Sequence, residues 1–368
     1  MPTETRRILQ QLIANREIPI GWAPIFDTVP GPIRSRDGWD RVEGMLLGLA
    51  IGDALGNTTE GLLPSERNRR YGQIDEYLRR DSAQQPVGLP SDDTQLTFWT
   101  LEQLLIDGGF VPAHLADRFS RQHIFGIGAS ITEFLRAYKA GNKPWYRCGA
   151  QSAGNGALMR IAVMLVPHLR TGTPDLWADI AISAAVTHRD PASIAACVAF
   201  VNILWGALQL DHAPASQWWV QTYADVARSL EKQTTYRPRG GAFTGYTGPL
   251  WRYVEERIDE ALRRDQHVLE ACNSWYSGAY LLETMPSVIY ILMRHAHDPV
   301  EAILRAVNDT KDNDTIAAIV GAAVGALHGR QALPRHWLAR LSGRTGEHDD
   351  GRIFQLIEDA RETFWERG

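Results

Sequence analysis

The chain is short of cysteine, of long apolar runs and of surplus positive charge, and each shortage closes off a class of protein. Three cysteines, Cys148, Cys197 and Cys272, are spread over 368 residues with no CxxC pair. An odd number so far apart makes neither a disulfide framework nor a zinc knuckle, and it suits a reducing cytoplasm. The first seven residues, MPTETRR, lack the apolar core of a secretory signal. Apolar stretches are interrupted by Gly, Asp or His well before membrane-spanning length, so no membrane association is expected. With 38 Lys and Arg against 43 Asp and Glu, the net charge is -5. No basic footprint for nucleic acid exists, although a small anionic ligand can still be held locally.

What is present is ordinary for a globular chain with a sizeable core: 44% hydrophobic and 22% charged residues. Strand-like alternation is scarce. Helical periodicity covers 94–106, 112–119, 175–185, 191–209, 218–232, 250–264, 280–294, 300–307 and 352–365. The expectation is an all-α domain over 39–368 with an N-terminal extension over 1–38. Residues 233–249, QTTYRPRGGAFTGYTGP, are Gly-rich and non-periodic, which reads as a long surface loop and a candidate lid.

The extension begins with a short helix expected over 4–16. Residues 18–33 follow, apolar but carrying Pro19, Pro24, Pro30 and Pro32. Such a strap cannot continue as helix and suits no central strand. Its Trp22, Ile25 and Phe26 need a surface, either on the chain's own domain or on a partner.

Two predicted helices carry glycine stripes. Gly44, Gly48, Gly52 and Gly56 lie on one, and Gly321, Gly325 and Gly329 repeat the spacing on the other. Glycine inside a helix costs roughly 1 kcal/mol relative to alanine. Residues four apart share a face, so the use of such a stripe is close approach by another backbone. We read two central, tightly packed helices whose ends carry the chemistry.

Acidic clusters sit at two helix starts. Ser91-Asp92-Asp93-Thr94 alone is explained by capping: serine is a good N-cap and aspartate complements the helix dipole. Asp309 to Thr315 opens the second glycine-striped helix, and Asp312, Asp314 and Thr315 repeat the pairing of carboxylates with a hydroxyl. If the two starts face each other, four carboxylates repel unless a cation lies between them. An all-oxygen set favours a hard ion, Mg2+ or Mn2+. Six protein oxygens suit two ions about 4 Å apart.

Five segments together resemble the ADP-ribosylglycohydrolases: GLAIGDALGNTTE at 48–60, SDDTQ at 91–95, GNGALMR at 154–160, Thr187-His188, and DNDT at 312–315. The resemblance implies an all-α fold, a dinuclear magnesium centre and removal of ADP-ribose from modified protein side chains. On it, Ser91, Asp92, Asp93, Asp312, Asp314 and Thr315 fall on the metal ligands, and Glu60 on the acidic residue beside the scissile bond. Serine at 91 replaces a commoner threonine, and Thr310-Lys311 stand where Gly-Gly is frequent. Gly126, Gly128, Ser152, Gly154, Asn155, Gly156 and His188 are implied substrate contacts. Read without the resemblance, the glycines form tight turns and His188 is a structural loop residue before the Asp190-Pro191 helix start. Trp275, Tyr276 and Tyr280 either stack adenine or belong to the core.

The strap resembles the extension of bacterial immunity proteins of this family, which implies a cognate ADP-ribosyltransferase toxin as a partner. Arginine is the acceptor that the resemblance favours. Three readings therefore stand: a hydrolase, with Glu60 as general base or as the charge opposite an oxocarbenium-like carbon; a toxin-occluding binding protein; and an inactive ADP-ribose sensor, against which the intact acidic sets argue.

Overall fold

The computed structural model describes residues 4–33, 38–79 and 85–366. Its helices are α1 (Glu4–Ala14), α2 (Gly38–Asn57), α3 (Pro64–Tyr71), α4 (Asp92–Asp107), α5 (Pro112–Arg121), α6 (Ala129–Lys139), α7 (Asp175–Thr187) and α8 (Pro191–Ala207). There follow α9 (Ser216–Leu230), α10 (Leu250–Arg263), α11 (Val268–Ser274), α12 (Leu281–His295), α13 (Pro299–Asp309), α14 (Asn313–His328), α15 (Arg335–Arg340) and α16 (Arg352–Ala360). Among the described residues no sheet forms, only isolated bridges such as Ala150 with His188. The fold is all-α.

The glycine stripes do what their spacing demands. α2 and α14 run antiparallel in direct backbone contact, Gly48 against Gly321 and Gly44 against Gly325. A Cβ at Gly48 would lie 2.2 Å from the Gly321 carbonyl oxygen, and one at Gly325 would lie 2.0 Å from that of Gly44. At the far end, a Cβ at Gly56 would meet the Asp314 backbone at 2.4 Å. The stripe thus brings the C-terminus of α2 to the N-terminus of α14. Both helices are buried on nearly every side, as are α7, α8 and α12, and α4 and α13 pack against both.

Helix starts follow local chemistry. Asp190 Oδ1 accepts from the Ala192 and Ser193 backbone N–H at 2.9 and 3.1 Å, with Pro191 in the first position of α8. The last periodic run ends earlier than expected: α16 stops at Ala360 and Arg361–Glu366 continue as a π-helical turn. Residues 145–168 are irregular, with 3-10 turns at Trp145–Arg147, Leu158–Arg160 and Ala162–His168.

The extension lies on its own domain. Leu9, Leu12, Ile18, Ile20, Ala23, Phe26 and Ile33 join the main core, with Trp22 and Ile25 packed against it. Three backbone groups of the strap are held from below. Trp177 Nε1 donates to the Thr28 carbonyl at 2.9 Å, Trp205 Nε1 to that of Gly31 at 3.0 Å, and Ile33 N–H to that of Leu169 at 3.0 Å. Glu17 pairs with Arg147. The surface that the strap required is therefore intramolecular.

The 233–249 loop is pinned as well. Tyr236 donates its hydroxyl to Asp190 at 2.9 Å, Ala242 N–H reaches the Ser274 carbonyl at 2.7 Å, and Arg239 meets the buried Glu283 at 3.2 Å.

Candidate metal centre and active site

The α2–α14 contact places the acidic residues. Asp314 lies in the first turn of α14, beside Gly56 at the end of α2. Asp92 and Asp93 open α4, whose Ser91 cap accepts from the Asp93 N–H at 3.2 Å. The capping reading of Ser91 is thus seen in the structure. Two carboxylate groups come close enough to share an ion among the described residues: Asp53, Asp93 and Asp314, and Glu60, Asp312 and Asp314, with ligand atoms within 4.8 Å of one another in each. Asp314 belongs to both. Asp92 stands outside these sets, though it faces the same cavity. Asp309, from the same acidic run, turns away to Arg305 at 3.2 Å.

Hydrogen bonds fix the acids without neutralising them. Asn155 Nδ2 donates to Asp312 at 2.6 Å, the Thr315 N–H to Asp314 at 2.9 Å, and Thr315 Oγ1 to Asp93 at 3.3 Å. The other Asp93 oxygen is buried and receives no hydrogen bond. Burial first, and neighbouring carboxylates second, push the Asp92, Asp93 and Asp314 carboxyls well above the usual range. Asp312 is pushed up to about 7, mainly by burial. Such a group keeps its charge only beside a cation. An orphaned carboxylate oxygen amid an all-oxygen donor set fits a hard divalent ion.

Asp53 was missed by sequence reasoning. It sits inside the buried face of α2 and is itself fully buried. Its carboxylate accepts from the Ser91 and Thr94 N–H and from the Thr94 hydroxyl, so it holds the N-terminus of α4. The available signal was one charge within the otherwise uncharged, glycine-striped stretch from Gly44 to Asn57.

A cavity of about 230 Å³ opens over the acids, and Glu60, Asp92, Asp312, Asp314 and Thr315 form part of its wall. The remainder includes Gly126, Gly128, Ser152, Gly154, Asn155, Gly156 and His188. Gly126 takes a left-handed φ of 59°, which glycine accommodates. Gly154 and Gly156 make room for the imidazole: Cβ atoms there would lie 3.2 and 3.0 Å from the His188 ring. At Gly128 a Cβ would meet nothing, so no close approach explains that glycine. His188 Nδ1 bonds Thr187 Oγ1 at 3.0 Å, and burial lowers the ring's pKa to about 3. It is neutral at any physiological pH.

Glu60 is exposed at the cavity mouth. Surrounding protein and the charge of Asp53 raise its carboxyl above the ordinary value. A second chamber of about 420 Å³ adjoins the first and shares Glu60, Arg239, Ala279 and Asp312 with it; Tyr276 and Lys311 line its far side. Lys311 bonds the Tyr276 hydroxyl and lies over its ring. Trp275 belongs to the core, bonded to Ser287 at 2.7 Å. Tyr280 packs under Arg239.

Known proteins match this sequence and this fold. The family model described as ADP-ribosylglycohydrolase matches residues 34–367. A protein of Archaeoglobus fulgidus without an assigned activity is 30% identical, covering 83% of this chain and 92% of its own. The ADP-ribosylarginine hydrolase Tri1 of Pseudomonas putida is 26% identical over 82% of this chain and 74% of its own. A solved structure titled ADP-ribosylglycohydrolase-related protein complex superposes with a TM-score of 0.67 at 26% identity, covering 90% of this chain and 99% of that one. The chain belongs to the ADP-ribosylglycohydrolase family.

Proposed function

We propose that the chain is a metal-dependent hydrolase that releases ADP-ribose from modified arginine side chains, with residues 39–368 as its catalytic domain. The observation that carries this reading is one cavity whose walls combine a carboxylate cluster with glycine turns and a neutral histidine. The first suits cations and a ribose diol; the second suits the polar, uncharged lining of a nucleotide cleft. In this reading Asp92, Asp93, Asp312 and Asp314, with the hydroxyls of Ser91 and Thr315, hold two divalent ions of the magnesium class. When bound, these supply orientation of the distal ribose and activation of water.

The protein's own groups do the rest. Asn155 holds Asp312 in place through the 2.6 Å bond. His188 offers a hydrogen bond and no charge, which leaves Glu60 as the group that moves a proton. Its place at the cavity mouth and its raised proton affinity suit a general base toward the attacking water, beside the carbon where an oxocarbenium-like charge develops. The arginine acceptor is supported by relatives named ADP-ribosylarginine hydrolase, from Pseudomonas putida and Serratia proteamaculans.

Docking of the extension into a transferase toxin loses its physical motive, since Phe26 is buried in the chain's own core and Trp22 and Ile25 pack against it. Incubation with proteins ADP-ribosylated on arginine, serine or glutamate tests the assignment. Release from arginine with Mg2+ is expected. Release from serine alone would overturn the acceptor assignment, and release from none would overturn the activity.

A further inference from the structure

Arg67 on α3 is fully buried, and its hydrogen bonds go to no carboxylate among the described residues. Removing an unpaired guanidinium from water is unfavourable, and an apolar side chain of similar volume would fill the site. The partners of Arg67 suggest why the charge is kept. Nε donates to Thr59 Oγ1 at 3.0 Å and Nη2 to the Leu62 carbonyl at 3.0 Å, the two positions that flank Glu60 and Gly61. Nη1 donates to the carbonyls of Asn308 and Thr310, at 3.3 and 2.8 Å, on the segment that leads into Asp312. Asn313 Nδ2 closes the link by donating to Thr59 Oγ1 at 3.0 Å. One planar fork therefore ties the Glu60 turn to the second acidic turn, across 241 residues for Asn308 and 243 for Thr310.

The turn needs such an anchor. Glu60 is exposed, and Gly61 beside it takes a left-handed φ of 79°. Burial lowers the Arg67 pKa to about 10, which leaves it charged at neutral pH, and the charges of Asp314 and Asp309 support that state. A lysine has neither the planar fork nor enough donors to reach four oxygens on two segments.

We propose that Arg67 is a positioning residue: it sets the distance between the Glu60 carboxylate and the Asp312–Asp314 turn, and the turnover that Glu60 supports depends on it. This rests on the reading of Glu60 as the proton-moving group. The test is a double-mutant cycle in the full chain, with Arg67→Lys and Glu60→Gln assayed on ADP-ribosylated arginine substrate with Mg2+.

Arg67→Lys is expected to lower kcat by roughly 10-fold or more, because displacement of about 1 Å at a reacting group is severe. KM and Mn2+ affinity should stay within about 3-fold of the unmodified chain if the acidic turn itself is kept. In the Glu60→Gln background the same change should add less than about 2-fold. A full additive loss in a slow Glu60→Gln chain would show a merely structural role and overturn the proposal alone. Full turnover in Glu60→Gln would overturn the role of Glu60 and that of Arg67 with it. Should Arg67→Lys not fold, Thr59→Val removes one acceptor at similar volume and goes through the same cycle. Additive loss there overturns the proposal equally.

Discussion

The backbone N–H of Ser91 donates to both carboxylate oxygens of Asp53, at 3.1 and 3.0 Å. A buried acid of α2 thereby fixes the turn that carries Asp92 and Asp93. Groups that orient metal ligands typically matter 10–100-fold to metal affinity. Asp53→Asn turns one acceptor into a donor facing those N–H groups, and it is expected to weaken Mn2+ binding by about that factor while helical content persists. A calorimetric titration with unchanged affinity would contradict this.

The α2–α14 seam leaves no room for a methyl group. Gly48→Ala would place a Cβ 2.2 Å from the Gly321 oxygen, a backbone atom that cannot step aside. A loss of about 3 kcal/mol is expected from overpacking of this kind. Gly128→Ala, where a Cβ meets nothing, should stay within about 0.5 kcal/mol. Urea unfolding of the two variants separates them. Equal midpoints would remove the close-approach account of the stripe.

Removing the extension should injure the fold. Phe26 is fully buried, and truncation of such a side chain costs about 3–5 kcal/mol. Phe26→Ala is expected to lower the thermal midpoint markedly, and a chain that starts at Gly38 should expose the apolar ground beneath Trp177 and Trp205. Dye binding to exposed apolar surface measures this. A truncated chain as stable and as dye-silent as the full one would return the strap to the role of a docking element.

Glu231 anchors the base of the 233–249 loop. Its carboxylate accepts from the Leu250 and Trp251 N–H at the start of α10. Burial pushes its carboxyl up from 4.5 to about 7, so the folded chain binds this proton more tightly than the unfolded one. The stability from this site is full below about pH 4.5 and is lost as the pH rises through about 7, on the order of 3 kcal/mol in all. Glu231→Gln cannot ionise. The stability difference between variant and unmodified chain should therefore move in the variant's favour from pH 5 to pH 8. A constant difference across that range would refute the assignment.

Features written as spacing were legible before the fold was known. Glycines four apart announced the α2–α14 seam, and two acidic helix starts with matching hydroxyls announced the cluster around Asp314. Features that depend on distant partners were not legible. Asp53 is a single charge whose partners lie 38 and 41 residues away. Arg67 looks like any arginine of a polar helix until Asn308 and Thr310 come into reach. The strap over 18–33 showed that it needed a surface, but its composition does not say whose. The irregular stretch over 145–168 escaped periodicity because 3-10 turns keep none of the 3.6-residue stripe.

In the proposed function, ADP-ribose release depends on ions held by the carboxylates of Asp92, Asp93, Asp312 and Asp314. The most direct measurement follows release from ADP-ribosylated arginine substrate by the full chain and by Asp314→Asn, each with Mg2+ and with excess EDTA. Rapid release only by the unmodified chain with Mg2+, and loss by at least roughly 10²-fold in the other three cases, is expected if the ions carry the chemistry. Undiminished release in EDTA, or by Asp314→Asn with Mg2+, would contradict it.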